Sequence, residues 1–113
     1  MHEYSIVQAL LEQCEEHVQN NNAQAVTKLV VKIGVMSGVE PHLLETAFDT
    51  FKENTVCHDS EFIMNIQPLT ILCQKCNLST ELKEIYYCCP HCKSLDVKVT
   101  DGEDMYLMQL ELR

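Results

Sequence analysis

The chain is poor in residues that break or loosen a fold: 113 residues contain only three glycines and three prolines. No low-complexity tract or internal repeat interrupts it, which excludes linker-like and fibrous compositions. Long apolar runs are missing as well, and nothing approaches the roughly 18 residues of a membrane span. Basic residues are scarce. Eight Lys and Arg against seventeen Asp and Glu leave a formal net charge of −9, which repels phosphate backbones and anionic lipid surfaces. Nucleic acid and membranes are therefore not expected partners, whereas cations and basic protein surfaces are. The beginning of the chain lacks the positive start of a secretory signal, since Glu3 comes first and Glu12, Glu15 and Glu16 follow, so a cytoplasmic protein is expected. No catalytic triad, phosphate loop or paired-carboxylate arrangement is present, and the chain is not expected to be an enzyme.

What remains is an ordinary apolar content of 46%, enough for one modest core or for a small core plus a metal-stapled module. Ile6, Val7, Leu10, Leu11, Cys14 and Val18 recur at helical spacing, with Glu12, Glu15, Glu16 and Gln19 opposite, which predicts an amphipathic helix over 4–19. Asn20, Asn21 and Asn22 end it, because Asn tolerates the left-handed conformation. The stretch VTKLVVKIGVM then alternates as a strand, placing Leu29, Val31, Ile33 and Val35 on one face. Pro41 suits the first turn of a second helix, along which Leu43, Leu44, Ala47, Phe48 and Phe51 form a stripe. Glu40 starts that helix. Two more strands are predicted, EFIMNIQ with Phe62, Met64 and Ile66 inward, and MYLMQLEL with Tyr106, Met108, Leu110 and Leu112 on one face.

Between those strands, Cys73-x-x-Cys76 is followed after twelve residues by Cys89-x-x-Cys92. Two such knuckles bring four thiolates to the corners of a tetrahedron, an arrangement that zinc accepts. A closed four-sulfur site leaves no position for a substrate water, so its role is structural. Cys88 is a competing thiol, but Cys89 completes the spacing with Cys92 and brings Pro90 into the turn. Asn77 and Lys93 stand where many zinc knuckles have glycine. Residues 70–100 carry Lys75, Lys83, Lys93 and Lys98 against Glu81, Glu84 and Asp96, a net of +1, leaving −10 for the remainder. That is a poor footprint for nucleic acid.

The opening MHE is the second constellation. A bulky residue at position 2 is expected to protect Met1 from removal, leaving a free α-amine beside the His2 amide. Amine, amide and the His2 Nδ1 form fused chelate rings around one ion, and such nitrogen-rich planar coordination suits Ni(II) or Cu(II) better than Zn(II). Glu3 supplies a further backbone nitrogen, or its carboxylate supports the site from outside the coordination shell.

With MHE at the start, IGVMSGVEP after the first strand, and Cys73-x-x-Cys76 with Cys89-Pro90-x-Cys92, the whole chain resembles the HypA/HybF family. The resemblance implies a nickel metallochaperone for maturation of [NiFe]-hydrogenase and, in some bacteria, of urease. It implies an α+β fold: two helices on a three-stranded sheet, interrupted by a four-cysteine zinc ribbon. The corresponding domains are 1–69 with 98–113 for nickel and 70–97 for zinc. Nickel, the transferred cargo, is implied on Met1, His2 and Glu3, and structural zinc on Cys73, Cys76, Cys89 and Cys92. The implied partners are a HypB-type GTPase, the hydrogenase large subunit and urease accessory proteins.

Two readings of other classes stand beside this one. A zinc-ribbon adaptor would be indifferent to substitution of His2, and a thiol redox protein using Cys88 or a CxxC pair would show reversible disulfide formation with loss of zinc. Among the remaining conspicuous residues, Cys14 is expected in the core. Cys57 and His58 are expected in a loop, and His17 and His42 on solvated helix faces.

Overall fold

The computed structural model describes residues 2–113, with the backbone of His2 but not its side chain. Helix α1 (His2–Asn20) is followed by strand β1 (Val26–Gly34), helix α2 (Pro41–Phe51) and strand β2 (Glu61–Gln67). Three short strands then appear, β3 (Thr70–Cys73), β4 (Ser79–Glu81) and β5 (Val97–Asp101), before β6 (Met105–Leu112). They form two sheets, one in the order β2-β1-β6 and the other in the order β4-β3-β5. The first is mixed: β1 runs parallel to β2 through the α2 crossover and antiparallel to β6. The second is antiparallel. This is the expected α+β architecture.

Both helices cover one face of the first sheet. Val7, Leu10, Cys14 and Val18 of α1 meet Leu29, Val31 and Ile33 of β1, and Leu44 and Phe48 of α2 close the cluster. Phe48 stacks on Phe62 of β2 with ring centroids 4.3 Å apart and an interplanar angle of 11°. Asn22 adopts φ 52° and ends α1, with the Ala23 N–H returning to the Val18 carbonyl at 2.9 Å. Glu40 caps α2, its carboxylate accepting from the Leu43 N–H at 2.7 Å, and Pro41 occupies the first turn.

Four expectations from the pattern are corrected. Val35, Leu43 and Ile66 are exposed, because β1 turns away after Gly34, because Leu44, one position on, takes the buried side of α2, and because Ile66 lies near the end of the edge strand β2. In β6 the register slips between Val30 opposite Gln109 and Val31 opposite Leu107, so Met108 is an extra residue. That bulge switches the inward face: Met105 and Leu107 point to the core before it and Leu110 and Leu112 after it, while Tyr106 and Met108 are exposed. Cys57 lies, as expected, as a free thiol in the loop after α2, and there it is fully buried beside Cys14. Its sulfur and the burial together push the Cys14 thiol up, so Cys14 behaves as core.

The second sheet has a much smaller interior of Leu69, Ile71 and Leu82, with Val97 and Val99 against them. It joins the first through a close backbone contact. A Cβ on Gly34 would lie 2.3 Å from the carbonyl carbon of Gly102, and one on Gly102 would lie 2.7 Å from the Pro68 carbonyl oxygen and the Leu69 Cα, so neither position can carry a side chain without a backbone shift. The Gly34 N–H donates to Asp104 and the Met36 N–H to Gly102, and Lys32 of β1 pairs with Asp101 of β5 at 2.8 Å. The molecule is consequently elongated, 52 × 28 × 17 Å with a radius of gyration of 17.3 Å, where a compact chain of this length would have about 13 Å.

Candidate metal centre

The segment 73–92 is built as two matching knuckles. In the first, the N–H of Cys76 points to the Cys73 sulfur at 3.4 Å and the N–H of Asn77 to the Cys73 carbonyl at 2.9 Å. In the second, Cys92 N–H points to the Cys89 sulfur at 3.4 Å and Lys93 N–H to the Cys89 carbonyl at 2.9 Å. Both turns close through a left-handed residue, Asn77 at φ 62° and Lys93 at φ 66°. Asn accepts that conformation readily, whereas Lys pays a steric cost there. The Lys93 ammonium returns to the Pro90 carbonyl at 3.3 Å.

The knuckles face each other because β3 ends at Cys73 and the chain returns alongside it, with the Gln74 N–H held by the Asp96 carbonyl. Four sulfurs converge there, those of Cys73, Cys76, Cys89 and Cys92, all within 4.8 Å of one another. Cys73 and Cys92 sulfurs are 3.5 Å apart and those of Cys76 and Cys89 are 3.7 Å apart. A tetrahedral ion bound at ~2.3 Å from each sulfur requires sulfur–sulfur separations of about 3.8 Å. Two of the separations match that spacing and the others lie within 4.8 Å, so the four sulfurs reach such an ion by side-chain adjustment alone. Cys88 is not one of the four: it is half-buried, and its sulfur turns toward the Cys89 carbonyl.

The electrostatics of the cluster favour a cation. The Cys76 N–H holds the Cys73 thiol down to about 6, with the Lys75 N–H and the Cys92 and Cys76 sulfurs helping. Cys89 is lowered likewise, first by the Cys92 N–H. At Cys76 the Leu78 N–H favours the thiolate, but desolvation and the surrounding sulfurs of Cys73, Cys89 and Cys92 outweigh it and push the group up to about 12. At Cys92 the Ser94 N–H is overcome in the same way, chiefly by Cys73. The neighbouring N–H groups thus favour the thiolate at Cys73 and Cys89, while the crowding of sulfurs at Cys76 and Cys92 is of the kind that a bound divalent ion relieves.

The other predicted constellation lies at the far end of the first sheet. Met1 is outside the described residues, and His2 is the first residue of α1. Glu3 is 8% exposed, and its Oε2 accepts a hydrogen bond from the Glu40 N–H at 3.1 Å. That contact ties the first turn of α1 to the start of α2, and it holds the Glu3 carboxyl down to about 2. Tyr4 packs edge-on against Phe51, with centroids 4.6 Å apart, adding a second clasp between the helices. The link from Glu3 to Glu40 crosses 37 positions, and no local pattern in GVEP announces it. His17 and His42 are exposed, and His58 is exposed beside Asp59 at 3.2 Å.

Comparison with known proteins places this geometry in context. The sequence model of the family described as "HypA: Hydrogenase/urease nickel incorporation, metallochaperone, hypA" matches residues 1–112. A hydrogenase maturation factor HypA from Shewanella baltica (strain OS195) is 56% identical over 112 residues, covering 99% of this chain and 96% of that protein. The protein of the same name from Aquifex aeolicus (strain VF5) is 54% identical over 112 residues, covering 99% of this chain and 97% of its own length. The solution structure of the Ni metallochaperone HypA from Helicobacter pylori matches with a TM-score of 0.71 at 35% identity, covering 99% of this chain and 97% of that one. No helix among the described residues is long and apolar enough to cross a membrane.

Proposed function

This chain belongs to the HypA family of hydrogenase/urease nickel-incorporation metallochaperones, and on that premise we propose that it carries Ni(II) on its N-terminus and delivers it in the cytoplasm during hydrogenase maturation. The metallochaperone role is one of binding and release, not of enzymatic turnover. In this reading the nickel ligands are the Met1 amine, the amide and imidazole of His2, and the Glu3 amide. The zinc ligands are Cys73, Cys76, Cys89 and Cys92, and zinc there is structural. Handover takes place with a HypB-type GTPase and the hydrogenase large subunit. Urease maturation, through urease accessory proteins, is a second destination of the same cargo.

The observation that carries the nickel reading is the anchoring of Glu3. Its carboxylate is engaged with the Glu40 N–H, so it holds the first turn of α1 in place. The first amides of a helix have no intrahelical acceptor, and α1 begins at His2. Deprotonating those amides for an ion therefore breaks no helical hydrogen bond. A ligand set at the end of a chain also exchanges one ligand at a time, which suits an ion that must be passed on.

Proton control follows from the same groups. The α-amine titrates near ~7.7–8.0 and imidazole near ~6.5 when unperturbed, so acid competes with nickel for both. Glu3 stays ionised through that range, because its carboxyl is held down to about 2. Nickel affinity is expected to fall from about pH 7.5 to about pH 6.0, on either side of the imidazole value. The test is a nickel titration of the zinc-loaded protein beside His2→Ala and a version extended by a few residues before Met1. One tight nickel in the native chain and none in either variant supports the site. Equal binding by all three, or no change with pH, rejects it.

A further inference from the structure

Strand β6 ends its sheet: it pairs with β1 and with no other strand among the described residues. Its outer edge leaves alternate backbone N–H and C=O groups without a ladder partner, which makes it a template for another strand. The inward side chains along that edge, Met105, Leu107, Leu110 and Leu112, reach the core only partly. Between them and α1 run two adjoining cavities. One, of about 220 Å³, is lined by Ile6, Ala9, Leu10, Gln13, Met105 and Leu107. The other, of about 390 Å³, lies against His17, Asn21, Leu107, Leu110 and Leu112. Leu107, next to the bulge at Met108, is shared by both.

Same-face side chains of a strand are spaced by roughly 6.6 Å, so an extended segment laid along β6 sets successive apolar side chains into successive parts of this groove. The cavities are lined by apolar and neutral polar residues, and the charge of the exposed α1 rim beside them selects the segment. Helix α1 contains Glu3, Glu12, Glu15 and Glu16 with no Lys or Arg, and β6 contains Glu111 with no Lys or Arg. Glu111 is matched by Lys28 on the opposite face of the sheet at 3.8 Å. Glu12 and Glu16 are exposed, beside and one turn after Gln13 on the groove side of α1. A second copy of the chain would bring the same acidic rim and a further net charge of −9, and it is disfavoured by repulsion.

We propose that the α1–β6 groove docks an extended, Lys- or Arg-bearing segment of a partner protein, which adds to β6 as a fourth strand and sets alternate apolar side chains in the two cavities. This site is remote in sequence from the four-cysteine cluster and stands independently of where nickel binds.

The test is a titration of the isotope-labelled, zinc-loaded full chain with a blocked octapeptide that alternates valine with lysine and threonine, followed by backbone amide shifts and hydrogen exchange. Shifts confined to 105–112 and to the 6–17 face of α1, with slowed exchange along β6, are expected. The same peptide N-methylated at alternate amides on one edge keeps its charge and side chains but loses the ladder, and should bind at least about tenfold more weakly. Replacing its lysines by glutamates, or making Glu12→Lys with Glu16→Lys on the exposed helix, should weaken binding about fivefold or more. The proposal is overturned if the N-methylated peptide binds equally well, if the shifts fall elsewhere or do not appear, or if sedimentation shows that the chain alone protects β6 by pairing with itself.

Discussion

The two halves of this molecule reach order by different means. Around the first sheet, α1 and α2 bury an interior that runs from Val7 to Cys57 and includes the stacked Phe48 and Phe62 rings. Around the second, only Leu69, Ile71 and Leu82 are buried, and Ile85, Tyr86, Tyr87 and Leu95 remain exposed. The first half satisfies its backbone and its apolar surface with its own side chains. The second has too little apolar surface for that and places four sulfurs where an ion can close the structure. The lesson is one of division: the core of the first half includes none of the four converging sulfurs.

Removing the metal is the sharpest way to break this comparison. Structural zinc contributes about 10–16 kcal/mol of apparent binding free energy in small zinc-binding peptides, more than the small Ile71 cluster can replace. Strong chelation, or Cys89→Ser, is expected to collapse the dispersion of amide signals from 70–100 while those of β1, β2 and the helices persist. Unchanged circular dichroism and melting after chelation would show that the second half is self-supporting. The converse break is Phe48→Ala, which removes a fully buried ring from the first half. It is expected to cost about 3–5 kcal/mol and to lower the main melting transition. The amide shifts around Cys73 and Cys89 should stay in place, and movement of both sets together would mean that the halves unfold as one.

The smallest effect is expected at the junction. Asp101 lies below the ordinary carboxylate range, first because Lys32 donates to it and then because of the Gly102 N–H. A carboxyl lowered on folding stabilises the native state above its unfolded value of about 3.9, and that contribution disappears as pH falls through the lower native value. Lys32→Met should therefore reduce the melting temperature slightly at neutral pH and flatten its decline in acid below about pH 4. The pair is partly exposed, with side chains 24% and 30% accessible, so solvent screens it and the change should be modest. An unaltered acid profile would assign the junction to the Gly34–Gly102 backbone contact alone.

The comparison also explains how far the reading from residues reached. The alternation of Leu29, Val31 and Ile33 and the helical stripe through Val7, Leu10, Cys14 and Val18 were legible because each repeats a local period on a buried face. The two CxxC knuckles were legible because metal ligation imposes its own spacing. The three short strands beside them were not, since β4 has only three residues and too little pattern to detect. The inward face of β6 was misread for a comparable reason: a one-residue bulge at Met108 reverses the alternation, and the register against β1 is decided across the sheet. Cys57 carried no local sign of burial, because the cover over it comes from α1.

Composition, periodicity and cysteine spacing by themselves determined an acidic α+β chain with two helices, a small sheet and a four-sulfur module, because those properties follow from neighbours a few residues apart. Tertiary structure alone decided that Cys57 is buried against Cys14 and that the β6 alternation reverses at Met108. It also decided that Glu3 reaches the Glu40 N–H, that Gly34 and Gly102 must both lack a Cβ, and that β6 keeps an open edge beside an acidic helix. Each of these joins groups distant in the chain, and such contacts depend on packing and register that no local pattern encodes.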